Sequence, residues 1–503
     1  MKRIRLFLIC ALFAIPVLTL FSQDTLKTIK PSDYSAWQTL NTSAISDDGK
    51  WVGWHVSLVD GDDTLYIKNV STGKLYRYPL SSGLLFSSDS KWAVFRAGYS
   101  EKQLEKFTEQ KKPVKYKARL VDLSTGKDRL FENISSFSFT KDGLHLIMAG
   151  YQPENGSVRD LFLLNLTSGI LKNIGNVSEY SVNKPGSRLA YIVNAENKKG
   201  NGVELVNLSD YTITFVDNDT CTYRNLVWDR EGTSLAFLKA FSDTGYVEEN
   251  HALFLYRNIP VKPELKKYNP ATDKSFPAKM RISNNFRPVI SDDSRTVFFG
   301  VYNWTVKEKN TRKPDESVKL PGVDIWHWKD DPVQPRQKNT YETEKNYTYR
   351  FAWIPDENRS VQLSDDEFRE VILSGDGRHA IVSTSIPYQP AFREEIYDHH
   401  VVNTHTGEKK LMLKEFSSLY GASPAGRYVV YFKDKNWWVY DLYKDQHINL
   451  TKDVPVELWN TRDDSPREIK PPFGLGGWLK DDKGILVYDE YDVWKISTEG
   501  LKP

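Results

Sequence analysis

Cysteine is nearly missing from this sequence, methionine is scarce, and neither sign of charge is in surplus. Of the two cysteines, Cys10 lies in an apolar N-terminal run, so a processed chain would keep Cys221 alone. A single thiol excludes an intrachain disulfide and a cysteine zinc cluster. Against 68 basic side chains stand 66 acidic ones, which leaves +2. That balance provides no concentrated basic face for nucleic acid. Beyond the N-terminus no second long hydrophobic run occurs, so no membrane partner is expected after processing. Also missing are H-E-x-x-H, a phosphate-binding glycine loop and a dinucleotide fingerprint. No cofactor is expected.

The N-terminus differs from the rest. MKRIR carries three positive charges, and LFLICALFAIPVLTLF follows without any. This is the order of a secretory signal peptide over residues 1–22, with Ser22 as the small residue before cleavage. The run is short for a membrane span, which needs about 20 apolar residues. The mature chain, 23–503, is expected to be exported to the periplasm or beyond the cell.

Aromatic residues are abundant, at 13%. They suit strands, whose pleated surface favours aromatic and β-branched side chains. One pattern recurs: a turn of Asp, Gly, Ser or Pro, a basic or polar residue, then alternating apolar and aromatic positions. It reads DDGKWVGW (47–54), SDSKWAVF (88–95), KDGLHLIM (141–148), KPGSRLAY (184–191) and REGTSLAF (230–237). It continues as DDSRTVFF (292–299), GDGRHAIV (375–382), PAGRYVVY (424–431) and DDKGILVY (481–488). Such turns accept the positive φ of a tight hairpin, and the alternation implies a strand with one buried face. A second strand–turn–strand follows in NVSTGKLYRY (69–78), DLSTGKDRLF (122–131), NLTSGILKNI (165–174) and NTHTGEKKLM (403–412). Two hairpins per unit make a four-stranded antiparallel sheet of about 40–50 residues, the size of a propeller blade. The fold class is therefore all-β: a β-propeller of seven to nine four-stranded blades, the last one incomplete. The polar stretches near 101–117 and 303–350 are read as insertions, and no linker marks a second domain.

Few residues suggest chemistry. Ser423, in GASPAG (421–426), is the nearest approach to the G-x-S-x-G turn of an α/β-hydrolase, but it falls in a repeat hairpin. The acidic pairs Asp47-Asp48, Asp292-Asp293, Asp330-Asp331, Asp365-Asp366 and Asp481-Asp482 sit mostly at turns, where Asp caps its own backbone. Asp60-Gly61-Asp62-Asp63 lacks the rest of a calcium loop. His399, His400 and His405 lack a carboxylate or Cys at ligand spacing, so no metal site is expected. Asn69, Asn165 and Asn207 match glycosylation acceptors only because the strand–turn pattern repeats. Glu394-Glu395 follows an aromatic, Pro-rich loop. Two adjacent carboxylates there could hold a peptide ammonium, although surface charge on a strand edge explains them as well. No catalytic, cofactor-binding or metal residue is assigned.

The runs VDIWHWKDDPVQPRQ (323–337), WIPDENRSVQLSDDE (353–367) and GGWLKDDKGILVYDEYDVWKIS (476–497) resemble the N-terminal propeller of the prolyl oligopeptidase / dipeptidyl peptidase IV family, in its large exported bacterial form. The resemblance runs from about residue 40 to the end. It implies a propeller that caps an active site and admits short or unfolded peptides. In that family a following α/β-hydrolase domain carries the Ser, Asp and His of the triad, and no position of this sequence corresponds to them. In dipeptidyl peptidase IV-like members a propeller Glu pair holds the substrate amine, but Glu394-Glu395 lacks the surrounding motif and the role is not transferred. The expectation is the docking propeller of an exported serine peptidase, truncated or split from its catalytic domain. A free-standing TolB-like propeller that binds a protein or glycan is the alternative.

Overall fold

The computed structural model describes residues 29–59, 61–154, 156–242, 244–307, 325–327, 330, 332–389, 394–467 and 469–499. The expected signal peptide at 1–22 and much of the 303–350 insertion lie outside them. The chain divides into two compact units, with the boundary between Phe139 and Thr140.

In the first unit two four-stranded antiparallel sheets follow one another. Blade 1 holds Gln38–Ile45, Trp51–Leu58, Thr64–Asn69 and Leu75–Pro79; blade 2 holds Ser81–Phe86, Trp92–Ala97, Lys117–Asp122 and Asp128–Phe131. Trp51, Leu65 and Ile67 of the first pack against Ala93, Phe95 and Val121 of the second. The Lys-rich 101–117 insertion contains a helix, α1 (Glu101–Glu109). It starts in a capping box in which Ser100 and Gln103 satisfy each other's backbone N–H. Ile134–Phe139 is the last strand of this unit.

The second unit continues the series. Blade 3 contains His145–Gly150 and Arg159–Asn165, then the first half of Leu171–Val182. The second half of that long strand pairs instead with Arg188–Val193 and so opens blade 4, which adds Gly202–Asn207 and Ile213–Asn218. Blades 5 (223–268), 7 (370–416) and 8 (419–449) each run first to fourth strand in sequence order, blade 6 (280–362) does the same with a short extra strand, Val289–Ile290, and blade 9 (475–497) has three strands among the described residues. Consecutive sheets stack face to face. Leu235 and Phe237 pack back onto Ala190 and Leu205 of blade 4, while Ala236 and Leu238, which alternate with them, pack forward onto Val297, Phe299 and Trp353 of blade 6. Blade 8 repeats this between Ile381 behind and Ile485 ahead. Serial stacking of four-stranded antiparallel sheets is the architecture of a β-propeller.

The second strands of blades 5 and 8 therefore sit between two neighbours. The expectation of one buried face needs correction: His145–Gly150 is buried at all six positions. The apolar-rich reading of HLIMAG, LAFLKAF and YVVYF follows, because both faces of the strand are covered. Each fully buried Leu or Phe contributes about 1.5–3 kcal/mol in this setting.

All nine copies of the hairpin motif lie at the entry to a second strand, and a hydroxyl–carboxylate pair organises most of them. In the first, Ser46 Oγ donates to Asp48 Oδ1 and accepts from Trp51 N, while Asp48 also accepts from Lys50 N. Those two donors hold the Asp48 carboxyl at about 2. The same bonds recur around Ser87 and Asp89, Thr140 and Asp142, Ser291 and Asp293, and Ser374 and Asp376. In the second unit the turns also touch one another. Asn183 Nδ2 donates to the Gly232 carbonyl, the hydroxyls of Ser234 and Ser294 are 2.8 Å apart, and Arg230 reaches the Pro424 carbonyl at 3.2 Å. One face of this unit is thus a closely joined set of short turns.

Candidate binding face of the second unit

Antiparallel order places the connections between second and third strands at the opposite end from those turns. Most of them are long: 151–158, 194–201, 243–248, 304–348 and 385–396, against 434–435 in blade 8 and 489–492 in blade 9. Connections on a rigid scaffold are where binding residues concentrate.

A cavity of ≈ 950 Å³ opens here among blades 3 to 5, with Glu154, Ser178, Glu179, Asn194, Asn201 and Arg224 in its wall. Most of these polar groups hold the loops themselves. Asn201 Oδ1 accepts from Ala195 N at 2.7 Å, and Asn194 donates to Ser178 Oγ at 2.8 Å. Glu179 accepts from the backbone N–H of Asn225 and Leu226, and Arg224 pairs with Glu249 at 3.1 Å. Next to Tyr223, another lining residue, the buried Lys239 ammonium lies 3.0 Å from Asp217 and 2.7 Å from Asp219. Burial alone would raise the Asp217 carboxyl, but bonds from Tyr223 and Lys239 outweigh it and hold it below the usual range.

Glu394 and Glu395 are on this face, and the structure sends them apart. Glu394 pairs with Arg467 at 3.1 Å; Glu395 pairs with Arg336 at 2.9 Å and accepts from the Tyr397 hydroxyl at 2.5 Å. The Tyr397 bond, then Arg336, keeps the Glu395 carboxyl below the ordinary glutamate range. Arg336 comes from α2 (Gln334–Lys345), a helix in the long insertion. Both carboxylates therefore already have cations, and they do not converge on a common point.

The remaining candidates have structural positions. Ser423 is fully buried in its turn. Asp365 caps Glu367 and Phe368, Asp366 accepts from Tyr349, and Asp330 accepts from His327 N. Asp63 accepts from Ser57 Oγ and lies 3.5 Å from His55 Nε2, while Asp60 and Asp331 are outside the described residues. Asn69 and Asn165 use their side-chain oxygens on the turn backbone, and Asn207 does the same. His399 and His400 point to opposite faces of one strand, and His405 meets Glu357 at 3.1 Å. Among the described residues no three His, Cys, Asp or Glu side chains could hold a metal ion.

One pairing has no signal in the sequence. Ser383 Oγ lies 2.7 Å from His399 Nδ1, and His399 Nε2 is 3.1 Å from the Phe416 carbonyl. A carbonyl only accepts, so Nε2 carries the proton and Nδ1 accepts from the serine. Burial pushes the imidazole down and keeps it neutral. Serine and histidine are 5% and 4% exposed, and the far nitrogen of the ring meets a carbonyl where a catalytic triad has a carboxylate. Residues 383 and 399 meet because their strands are neighbours.

No family model matches the sequence, and no curated protein matches it. Among solved structures the chain is similar to the β-propeller domain of the Trilobed protease from Pyrococcus furiosus, at 11% identity and a TM-score of 0.29, covering 76% of this chain and 97% of that one. It is similar to Pyrococcus horikoshii acylaminoacyl peptidase at 10% identity and 0.28, covering 81% and 57%. For Porphyromonas gingivalis dipeptidyl peptidase 4 the values are 10% and 0.38, covering 85% and 56%. The chain thus spans less than two thirds of the length of the latter two. No helix among the described residues is long and apolar enough to cross a membrane.

Proposed function

We propose that the chain is the docking and gating propeller of an exported prolyl oligopeptidase-family serine peptidase, and that it does not cleave peptides by itself. The observation that carries this is the fate of its two most nucleophile-like serines. Ser383 and Ser423 are both buried, the first bonded to a histidine that lacks a carboxylate, the second to Asp482. Acyl transfer needs an accessible nucleophile, a base behind it and an oxyanion hole. The resemblance of the tryptophan-rich runs supports the family. The asymmetry of the second unit, with short joined turns at one end and long charged connections at the other, supports binding at the long-connection face. Peptide substrates would dock there, with an α/β-hydrolase domain as the catalytic partner. The charged-then-apolar N-terminus supports export.

The test is to expose the purified chain to a fluorophosphonate probe and to chromogenic prolyl dipeptides. No labelled serine and no turnover are expected. A single labelled serine together with hydrolysis would overturn the reading.

A further inference from the structure

Blade 8 differs from the other sheets of its unit at the long-connection face. Its second and third strands are joined by only Asp434 and Lys435, both in the left-handed region at φ 50° and 62°. A two-residue turn covers little, and a cavity of ≈ 540 Å³ lies beside it. Four aromatic rings shape that cavity. The half-buried Trp438 forms the floor, and the buried Tyr431 backs it, with planes 18° apart and centroids 6.3 Å apart. Phe416 stands at 89° to Tyr431 and His447 at 86°, so both act as walls. The floor is held in place: Tyr431 OH and His447 Nδ1 are 2.8 Å apart, and Trp438 Nε1 donates to the Lys433 carbonyl at 3.0 Å.

The rim is polar and uncommitted. Lys414, Glu415, Lys433 and Asp434 all line the cavity, and none of the four side chains forms an ion pair among the described residues. Glu415 also has φ 52°, a backbone conformation unusual for this residue type, and its N–H is held by Asp398 Oδ1 at 2.9 Å. Strain of this kind persists where the surroundings enforce it, and it clusters at binding sites.

We propose that this slot binds the ring of a neutral sugar, in a short oligosaccharide. A pyranose has an apolar C–H face and a rim of hydroxyls. The aromatic floor suits the face, and two ammonium and two carboxylate groups offer donors and acceptors to the hydroxyls. A free cation would meet Lys414 and Lys433 as well as Glu415 and Asp434, and an anion the same four groups with the signs reversed, so neither gains a net attraction. A wholly apolar ligand would draw four charges out of water without partners. The neutral polyol is the class that escapes all three penalties. This site is independent of the docking function proposed above.

The experiment is calorimetric titration of the full chain with maltotriose, cellotriose and the trimer of N-acetylglucosamine, with tetramethylammonium and propionate as ionic probes. At least one trisaccharide is expected to bind. Trp438→Ala should weaken it by about tenfold or more, whereas Trp438→Phe, which keeps a stacking face, should stay within about threefold. Glu415→Gln should weaken binding by a few-fold with the melting temperature unchanged. The proposal fails if no trisaccharide binds, if Trp438→Ala binds as tightly as the parent, or if only an ionic probe binds.

Discussion

Asp482, in the turn that opens blade 9, accepts a 2.5 Å hydrogen bond from the hydroxyl of Ser423 in the turn of blade 8. It also accepts from the backbone N–H of Ala425 and Arg427, at 3.0 and 3.2 Å. In the turns at Ser46, Ser87, Ser291 and Ser374 those bonds go to an aspartate two positions after the serine. Blade 8 has Ala425 at that place. The carboxylate has moved to the next blade, so a local turn bond has become a contact between sheets.

The relationship sets unequal costs for its two ends. Asp482→Ala removes three acceptor contacts and leaves the buried Ser423 hydroxyl and two N–H groups without a partner, for an expected loss of about 3 kcal/mol. Ser423→Ala removes the donor to Asp482 and the acceptor of the Tyr428 N–H but leaves the other two Asp482 bonds intact, for about 2 kcal/mol. Urea unfolding of both variants measures the difference. Equal losses would mean that Asp482 does not organise the turn.

Gly375 tests how closely the turns approach. A Cβ at this position would lie 2.0 Å from the Pro424 carbonyl oxygen and 2.7 Å from that of Ser423, both of them backbone atoms. Gly375→Ala should therefore cost more than about 2 kcal/mol, since the turns of blades 7 and 8 must separate. Gly169, at φ 73° in a turn with open space around it, provides the control. There Gly169→Ala should cost about 1 kcal/mol, from the backbone conformation alone. Thermal melts of the two variants decide the order.

The repeating turns are legible because their chemistry is local. A serine or threonine, an aspartate two residues later and a following apolar run identify the hairpin without knowledge of its neighbours. Asp482 shows where that stops: DDKGILVY reads as another turn, and nothing in it announces a bond to residue 423. The Ser383–His399 pair and the Lys239 cluster are hidden for the same reason, since strand pairing and blade stacking bring their members together. Glu394-Glu395 stands out as an adjacent pair, yet its partners Arg336 and Arg467 are 59 and 73 residues away. Buried second strands defeat the single-face reading as well, because alternation of side chains cannot show that both sides will be covered.

Asp273 links the connection after blade 5 to the last strand of blade 6. Its carboxylate accepts from Tyr268 OH at 2.7 Å, from Ser360 N and Oγ at 2.9 Å, and from Ser275 N at 2.8 Å. Burial alone would raise this carboxyl, but bonds from Ser275, Tyr268 and Ser360 outweigh it and bring it down to about 2. An unfolded aspartate titrates near about 3.9, so between those values the unfolded chain binds more protons than the folded one. Stability from this group is therefore complete above about pH 4 and is lost as pH falls through about 2, amounting to about 2 kcal/mol. Asp273→Asn should lower stability at pH 7 and flatten its fall between pH 4 and pH 2. An unchanged acid slope in the variant would show that other carboxylates govern that window.

Lys239 gives the sharpest test of buried charge. Its ammonium is held by Asp217 and Asp219, and Asp217 also accepts from Tyr223 OH at 2.7 Å. Removal of one member strands the rest. Asp217→Leu leaves Lys239 with Asp219 alone and Tyr223 without its acceptor, which should cost about 3 kcal/mol. Lys239→Met leaves Asp217 its bonds from Tyr223 and Lys267, so the loss should be smaller, about 1–2 kcal/mol. The double variant removes the buried cation and its main counter-charge together, and packed apolar side chains replace them. Its loss should be less than the sum of the two single losses by about 1 kcal/mol or more, as coupled neighbours require. Strict additivity in a double-mutant cycle would mean that the ion pair contributes nothing beyond the packing of its two side chains.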